Sequence, residues 1–417
     1  MFESYNDRMH MLKQPNFPPV KFDLETRFGS IYGDLEKKAV ADVIDHDAPT
    51  SGKKVTEFET KFAEFCGSKY AVAVSNGTTA LMMAYIGVGI QPGDEVISTP
   101  ITWIATSAAA VVLGATIKFA DIDPHTFNLD AERIEKLITP KTKAICPVHL
   151  YGQPVDMDPI NEIAAEHHLN VIEDAAHAPG ALYKGKKTGN LGDVGIFSFH
   201  EQKNMSTLGE GGMVTTNSLD IFERMRLYKS HCARVIGSST KYLTLDNAIA
   251  EKALKEKQFW FQDFDDCGYN VRMNDVTGAV GLCQLTRIDS MNARRNEIAS
   301  ILDAGFTNIP GIRPLDQTAE IYHTYHLYPV KIDPKTAPIT RDNLVYKLRM
   351  DYGIKTGTHY MPLVETEAFK KRGYSSQDAP LACKEWRYLI TLPIHPRLTD
   401  DAVSYMITSI REAMKSP

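Results

Sequence analysis

The sequence has no CxxC pair, no block of basic residues and no long apolar run free of breakers. Its six cysteines (Cys66, Cys146, Cys232, Cys267, Cys283, Cys383) are scattered and lack neighbouring histidine patterns. That spacing argues against a disulfide scaffold and a structural zinc site, and it fits a reducing, cytoplasmic setting. The 46 basic and 52 acidic residues leave a net charge of -6 spread along the chain, so no stretch is suited to hold a nucleic-acid backbone. The amino terminus, MFESYNDRMHMLKQ, is polar where an export signal needs an apolar core. The longest uncharged run, Val96 to Ile117, is broken by Pro100, Gly114 and several Ser and Thr, and reads as buried strand, turn and helix rather than a membrane span. Neither a metal, a nucleic acid nor a membrane is expected as a partner.

What is present is alternation. At 417 residues two domains are the default. KYAVAVS, EVIS, IKFAD, KAICPVHL and NVIED read as short apolar strands. They alternate with helical segments at ALMMAYIGVG, through TSAAAVVLG, around Ala131 to Ile138 and around Pro159 to His168. Such alternation predicts an α/β domain with a mostly parallel sheet between helices. Helices are also expected from Asp34 to Asp45, at Asn343 to Met350 and at Asp400 to Met414, and strand-like runs at YHLYPVKI and YGIKTGTHY. The expected division is an amino-terminal arm (1–28), a large α/β domain (29–285) and a smaller α+β domain (286–417).

One lysine stands out. Lys203 sits between the strand-like DVGIFSF, expected to be half-buried, and GEGG with the strand-like MVTT, in what reads as a tight connection. A lysine held there loses solvent, which lowers its pKa and frees its amine for Schiff-base chemistry. In parallel sheets ligands bind beyond the carboxyl ends of the strands. Ser75 to Thr79, Thr102 with Trp103, Asp174 to His177, and Ser198 to Lys203 all fall at such ends. NGTT would start a helix able to hold a phosphate, with the Thr78 hydroxyl as a further donor, or would simply be a helix cap. Trp103 could lie on a flat ring or belong to the core. Asp174 could pair with a ring nitrogen, or be a helix cap or a surface ion pair; His177 could meet a phenolic oxygen or be a satisfied core histidine; Ser198 could be a second phosphate donor or a simple polar residue of the strand. An electrophile, an anion and a flat cationic ring in one ligand describe pyridoxal 5'-phosphate.

The motifs SNGTTAL, TPITWIATSAA, VIEDAAHAPG, GDVGIFSFHEQKN, GEGGMVTTN, GYNVRMND, GIKTGTHYMPL and LPIHPRLTD resemble the DegT/DnrJ/EryC1/StrS family of sugar aminotransferases from about Gly29 to the end. That resemblance implies a fold-type I pyridoxal phosphate enzyme with a sheet of the seven-stranded type, working as a homodimer with shared active sites. It implies that Lys203 carries the cofactor as an imine and that Asp174 meets the pyridine nitrogen. It puts Trp103 on the ring face, Gly77, Thr78 and Ser198 at the phosphate, and Asn270 at the phosphate of the neighbouring subunit. Two departures stand beside it: His177 replaces a frequent glutamine, and His231 to Gly268, with Phe259, Trp260 and Phe261, is longer than usual. Those aromatics could pack as core or border the cleft.

The expected reaction moves an amino group from an amino acid, glutamate by the resemblance, to a keto or aldehyde sugar, with pyridoxal and pyridoxamine phosphate alternating. Lys203 would shuttle the α-proton, and His359 and Tyr360 are candidate substrate contacts. Two rivals are a sugar dehydratase of the same family, in which histidine replaces the lysine, and a non-catalytic binding protein on the same fold. Lys203 argues against the first, and Lys203 with Asp174 against the second.

Overall fold

The computed structural model describes residues 16–25, 29–50, 52–236 and 244–415. The expected arm before residue 29 lies mostly outside the described residues, as does part of the long stretch before Asn270. Nine strands come first: β1 (Tyr70–Val74), β2 (Glu95–Ser98), β3 (Thr116–Phe119), β4 (Thr142–Cys146), β5 (Asn170–Asp174), the short β6 (Leu182–Tyr183) and β7 (Lys186–Lys187), β8 (Val194–Ser198) and β9 (Gly212–Thr216). Seven of them form one sheet in the order β1-β9-β8-β5-β4-β2-β3. β8, β5, β4, β2 and β3 run parallel, and β9 is antiparallel to both its neighbours.

Side-chain alternation explains why this sheet is covered twice. Val72, Val74, Ile196 and Val214 pack with Leu81, Met83 and Tyr85 of the helix Gly77–Gly87. Their neighbours Ala71, Ala73, Phe197 and Met213 pack with Phe58 and Phe62 of the helix Lys53–Cys66. Successive residues thus feed opposite faces, as a period of two requires. β8 is therefore buried at every residue, not on one side as its sequence suggests. Truncating Phe58 or Phe62 to alanine would cost about 3–5 kcal/mol.

β10 (Ala233–Val235) and β11 (Gln262–Phe264) form a separate antiparallel pair. Beyond the long helix Ile288–Phe306, β12 (Ile312–Pro314), β14 (Tyr328–Ile332) and β15 (Leu389–Leu392) make an antiparallel sheet, while β13 (Ile321–Tyr322) joins β6. The helices Ile288–Phe306, Arg341–Asp351 and Asp400–Ala413 close a second core over that sheet. Leu363, Phe369 and Cys383 return to the first core. No helix among the described residues is long and apolar enough to cross a membrane.

Three expectations change. The helix expected at Ala131 to Ile138 is two 3₁₀ turns, Ala131–Arg133 and Glu135–Leu137, with Ile134 buried between them and Pro140 close behind. YGIKTGTHY forms no strand; its one backbone bridge to β15 is between Gly357 and Thr391. The connection carrying Lys203 is not tight: it runs from Phe199 to Gly211, while the strands it joins pair directly through Ser198 and Gly212.

Candidate active site

The loops that follow β1, β2, β5 and β8 line one cavity of about 620 Å³. At the first, Asn76 caps the helix Gly77–Gly87, its side-chain oxygen accepting from the Thr79 N–H at 2.9 Å. Ala80 N–H turns back to Asn76 O, and no acceptor among the described residues serves the N–H of Gly77 or Thr78. A Cβ on residue 77 would stand 2.7 Å from the Ser198 Cβ and 2.9 Å from its hydroxyl oxygen. Only glycine lets the helix start and the Ser198 hydroxyl bound the same small space. That space suits an oxyanion.

Asp174, 4% exposed at the end of β5, lines the same cavity. Its Oδ2 accepts from the Thr106 hydroxyl at 2.7 Å and its Oδ1 from the Ala176 N–H at 3.1 Å. Burial raises its pKa, while these two hydrogen bonds and the charge of Lys203 pull it back. The preceding residue, Glu173, faces the other way. It accepts from His149 Nε2 at 3.0 Å and from the N–H groups of Gly189, Leu191 and Gly192 at 2.8, 2.7 and 2.8 Å. His149 Nδ1 accepts from Val155 N–H at 3.1 Å, so the ring's proton is on Nε2.

Lys203 lines the cavity, and burial of its ammonium holds its pKa down to about 8 against the pull of Asp174. Far more of its amine is therefore uncharged near neutrality than in an ordinary lysine. Its loop is fastened on both sides. Asn204 is buried and donates to Asn292 Oδ1 at 3.0 Å and to Thr324 O at 2.8 Å, which leaves its own oxygen for His326 Nδ1 at 3.2 Å. Gly29 N–H donates to Glu201 O at 3.2 Å, and Gly29 O accepts from the fully buried Arg295 at 2.6 Å.

His177 Nδ1 accepts from Tyr151 N–H at 3.3 Å, and burial drives the pKa of the ring well below its usual value. The ring is neutral with its proton on Nε2, 3.3 Å from the Tyr360 hydroxyl. His326 lies against it, ring centroids 4.3 Å apart, and burial likewise keeps it neutral. His359 is held at about 4 by burial, its Nδ1 2.6 Å from the Thr391 hydroxyl, and its carbonyl accepts from Tyr151 Oη at 2.7 Å.

The cavity thus brings together Gly77, Thr78, Trp103, Asp174, His177, Ser198, Lys203, His359 and Tyr360. Trp103 is at its mouth, 61% exposed, 6.2 Å from the Tyr360 ring. Asn270 does not line this cavity; it is exposed and bridged to Ser230. Phe259 and Trp260 neither pack as core nor line it, being 78% and 68% exposed. Sequence reasoning missed Thr106, Asn204 and His326. Thr106 stands one helical turn after Thr102, a spacing that was there to be read; His326 comes from a distant segment and carried no signal.

Free N–H donors beside a hydroxyl, a buried carboxylate and an amine of lowered pKa fit the phosphate, the ring nitrogen and the aldehyde of pyridoxal 5'-phosphate. Comparison with known proteins agrees. The family model for DegT/DnrJ/EryC1/StrS aminotransferases matches residues 31–411. The chain is 37% identical to the spore coat polysaccharide biosynthesis protein SpsC of Bacillus subtilis (strain 168), covering 92% of this chain and 96% of that one. It is 37% identical to the GDP-perosamine synthase of Caulobacter vibrioides, covering 87% and 91%. Among solved structures it is similar to S. venezuelae DesV in complex with a ketimine intermediate, at 32% identity and a TM-score of 0.82, covering 96% of this chain and 100% of that one. The chain belongs to the DegT/DnrJ/EryC1/StrS aminotransferase family and is a pyridoxal phosphate-dependent aminotransferase of fold-type I.

Proposed function

We propose that this enzyme moves an amino group from an amino acid, L-glutamate in our reading, to a keto or aldehyde sugar, nucleotide-linked or free. Pyridoxal and pyridoxamine 5'-phosphate alternate in the cavity. The sugar class rests on the relatives, one a GDP-perosamine synthase and another a polysaccharide biosynthesis protein. The cofactor supplies a carbonyl for amine exchange and a ring that takes up electrons. The rest falls to this chain. Gly77 and Thr78 at the helix start and the Ser198 hydroxyl hold the phosphate. Asp174 accepts from the ring N–H, Trp103 covers a ring face and His177 Nε2–H donates to the phenolic oxygen. Lys203 would anchor the cofactor, and its Nζ, when released and uncharged, would be the group that holds and moves the proton that transamination requires.

His359 and Tyr360 contact the substrate beside it. Asn270, exposed in the single chain, serves the phosphate site of a second copy in a homodimer. Residues 29–285 act as the cofactor-holding domain and 286–417 as the smaller one.

The observation that carries this reading is the pairing of Lys203, its pKa near 8, with buried Asp174 in one cavity beside the open helix start of residue 77. Borohydride reduction of the holoenzyme followed by peptide mapping tests it, with the pyridoxyl group expected on Lys203. A label on another lysine would sink the assignment. A screen of carbonyl acceptors against enzyme loaded with glutamate tests the substrate class, and turnover of simple ketones but no sugar would refute it.

A further inference from the structure

Asp174 has a difficult task. A carboxyl group buried to this depth tends to take up a proton, and a neutral acid cannot pair with a ring cation. Its surroundings work against that tendency. Thr106 is 1% exposed and its hydroxyl has two acceptors in reach: Asp174 Oδ2 at 2.7 Å and Trp103 O at 3.2 Å. The shorter, charged partner takes the proton. Thr102, 3% exposed, lies 2.8 Å from the Thr106 oxygen; as that hydroxyl has already spent its proton, Thr102 donates to it. The backbone is fixed as well, since Tyr85 Oη donates to Thr106 O at 2.8 Å and Thr106 N–H bonds Trp103 O at 3.2 Å. The two hydroxyl protons point one way along the chain Thr102 to Thr106 to Asp174. With Ala176 N–H on Oδ1, each carboxylate oxygen has one partner inside the protein and keeps capacity for the cavity.

We infer that Thr106, backed by Thr102, is a positioning residue that holds Asp174 ionised and oriented, and so sets how tightly and over what pH range the site binds a ring cation. This rests on the cofactor reading given above. The other titratable groups around Asp174 do not replace Thr106. Lys203 favours the charged carboxylate, but it is present whether or not Thr106 has its hydroxyl, and His149, its proton on Nε2 and turned to Glu173, carries no charge to replace it. Tyr85, Cys146 and Tyr360 are kept neutral by burial.

The test uses apoprotein and pyridoxamine 5'-phosphate, which has no carbonyl and forms no bond to Lys203, so calorimetric titration reads the non-covalent contacts. Thr106→Val is expected to weaken binding by about ten- to a hundredfold, the worth of one hydrogen bond to a charged group. Thr106→Ser restores it. Without the hydroxyl Asp174 is protonated at higher pH, so T106V loses affinity as pH falls from 8 to 6 more steeply than the wild type does. A purely structural role would leave that profile unmoved. Equal affinity and an equal pH profile in T106V would overturn the inference while the cofactor reading stands. A wild type that binds no pyridoxamine phosphate would overturn both. Should T106V fail to fold, Thr106→Ala carries the same expectations.

Discussion

Glu173 and Asp174 are consecutive, both buried, both at the carboxyl end of β5, and they do opposite things. Glu173 spends its acceptor capacity inside the protein, on one imidazole and three backbone N–H groups of the turn at 189–192. Asp174 has two partners, Thr106 and Ala176, and faces a cavity. Burial alone does not separate a structural carboxylate from a working one. What separates them is the unspent hydrogen-bonding capacity and the space in front of it.

That contrast can be broken by substitution. On the open side, Lys203→Ala is expected to abolish transamination while leaving the circular dichroism spectrum and melting temperature near those of the wild type. Asp174→Asn is expected to lower turnover by about a hundred- to a thousandfold, equivalent to removing one partner of a buried charge pair. Its unfolding curve should stay close to the wild-type one. On the closed side Glu173→Gln should do the reverse, lowering unfolding free energy in denaturant by roughly 3 kcal/mol or more because it strips a charge that several buried donors share. The protein that stays folded should still take up cofactor. If D174N proved the unstable variant and E173Q the inactive one, the distinction would be void.

The histidines sharpen the comparison. Burial depresses His177, His326 and His359, the last to about 4, and His323 to about 3. The unfolded chain therefore takes up protons first. The stability these rings permit is complete above pH 6.5 and is lost as pH falls toward 4, by at most roughly 1.4 kcal/mol per pH unit for each ring. Thermal melts at stepped pH should show a falling midpoint from pH 6.5 downward; a flat profile to pH 5 would mean that the rings are charged in the fold. The smallest expected effect is Gly77→Ala, whose methyl group must displace Ser198 at a cost of about 1–3 kcal/mol, read as weaker retention of pyridoxal phosphate in dialysis.

The sheet and the crevice were legible because both are written in local pattern. Short apolar strands alternating with helices fix a parallel sheet, and strand ends fix where loops meet. Lys203 and Asp174 fell on such ends. The 3₁₀ turns at 131–137 were not legible, since Ile134 and Leu137 carry a helical spacing although the segment is too short and is stopped by Pro140. The extended run before Tyr360 looked like a strand because it is rich in β-formers, yet only Gly357 finds a ladder partner. The clamps on the lysine loop were hidden for a different reason. Asn292, Thr324 and His326 lie 88 to 122 residues from Asn204 in sequence, and no periodicity links such distances.

Gly29 lies against the backbone of the lysine loop, where a Cβ would stand 1.9 Å from Lys203 O. In genetic terms the consequence is a class of mutation easily misfiled. A substitution at position 29, far in sequence from every residue of the site and touching no ligand, must push the Lys203 carbonyl aside or leave its own place beside Arg295. It would surface in a screen as a folded, inactive protein, grouped with changes at the lysine and not with those of the core.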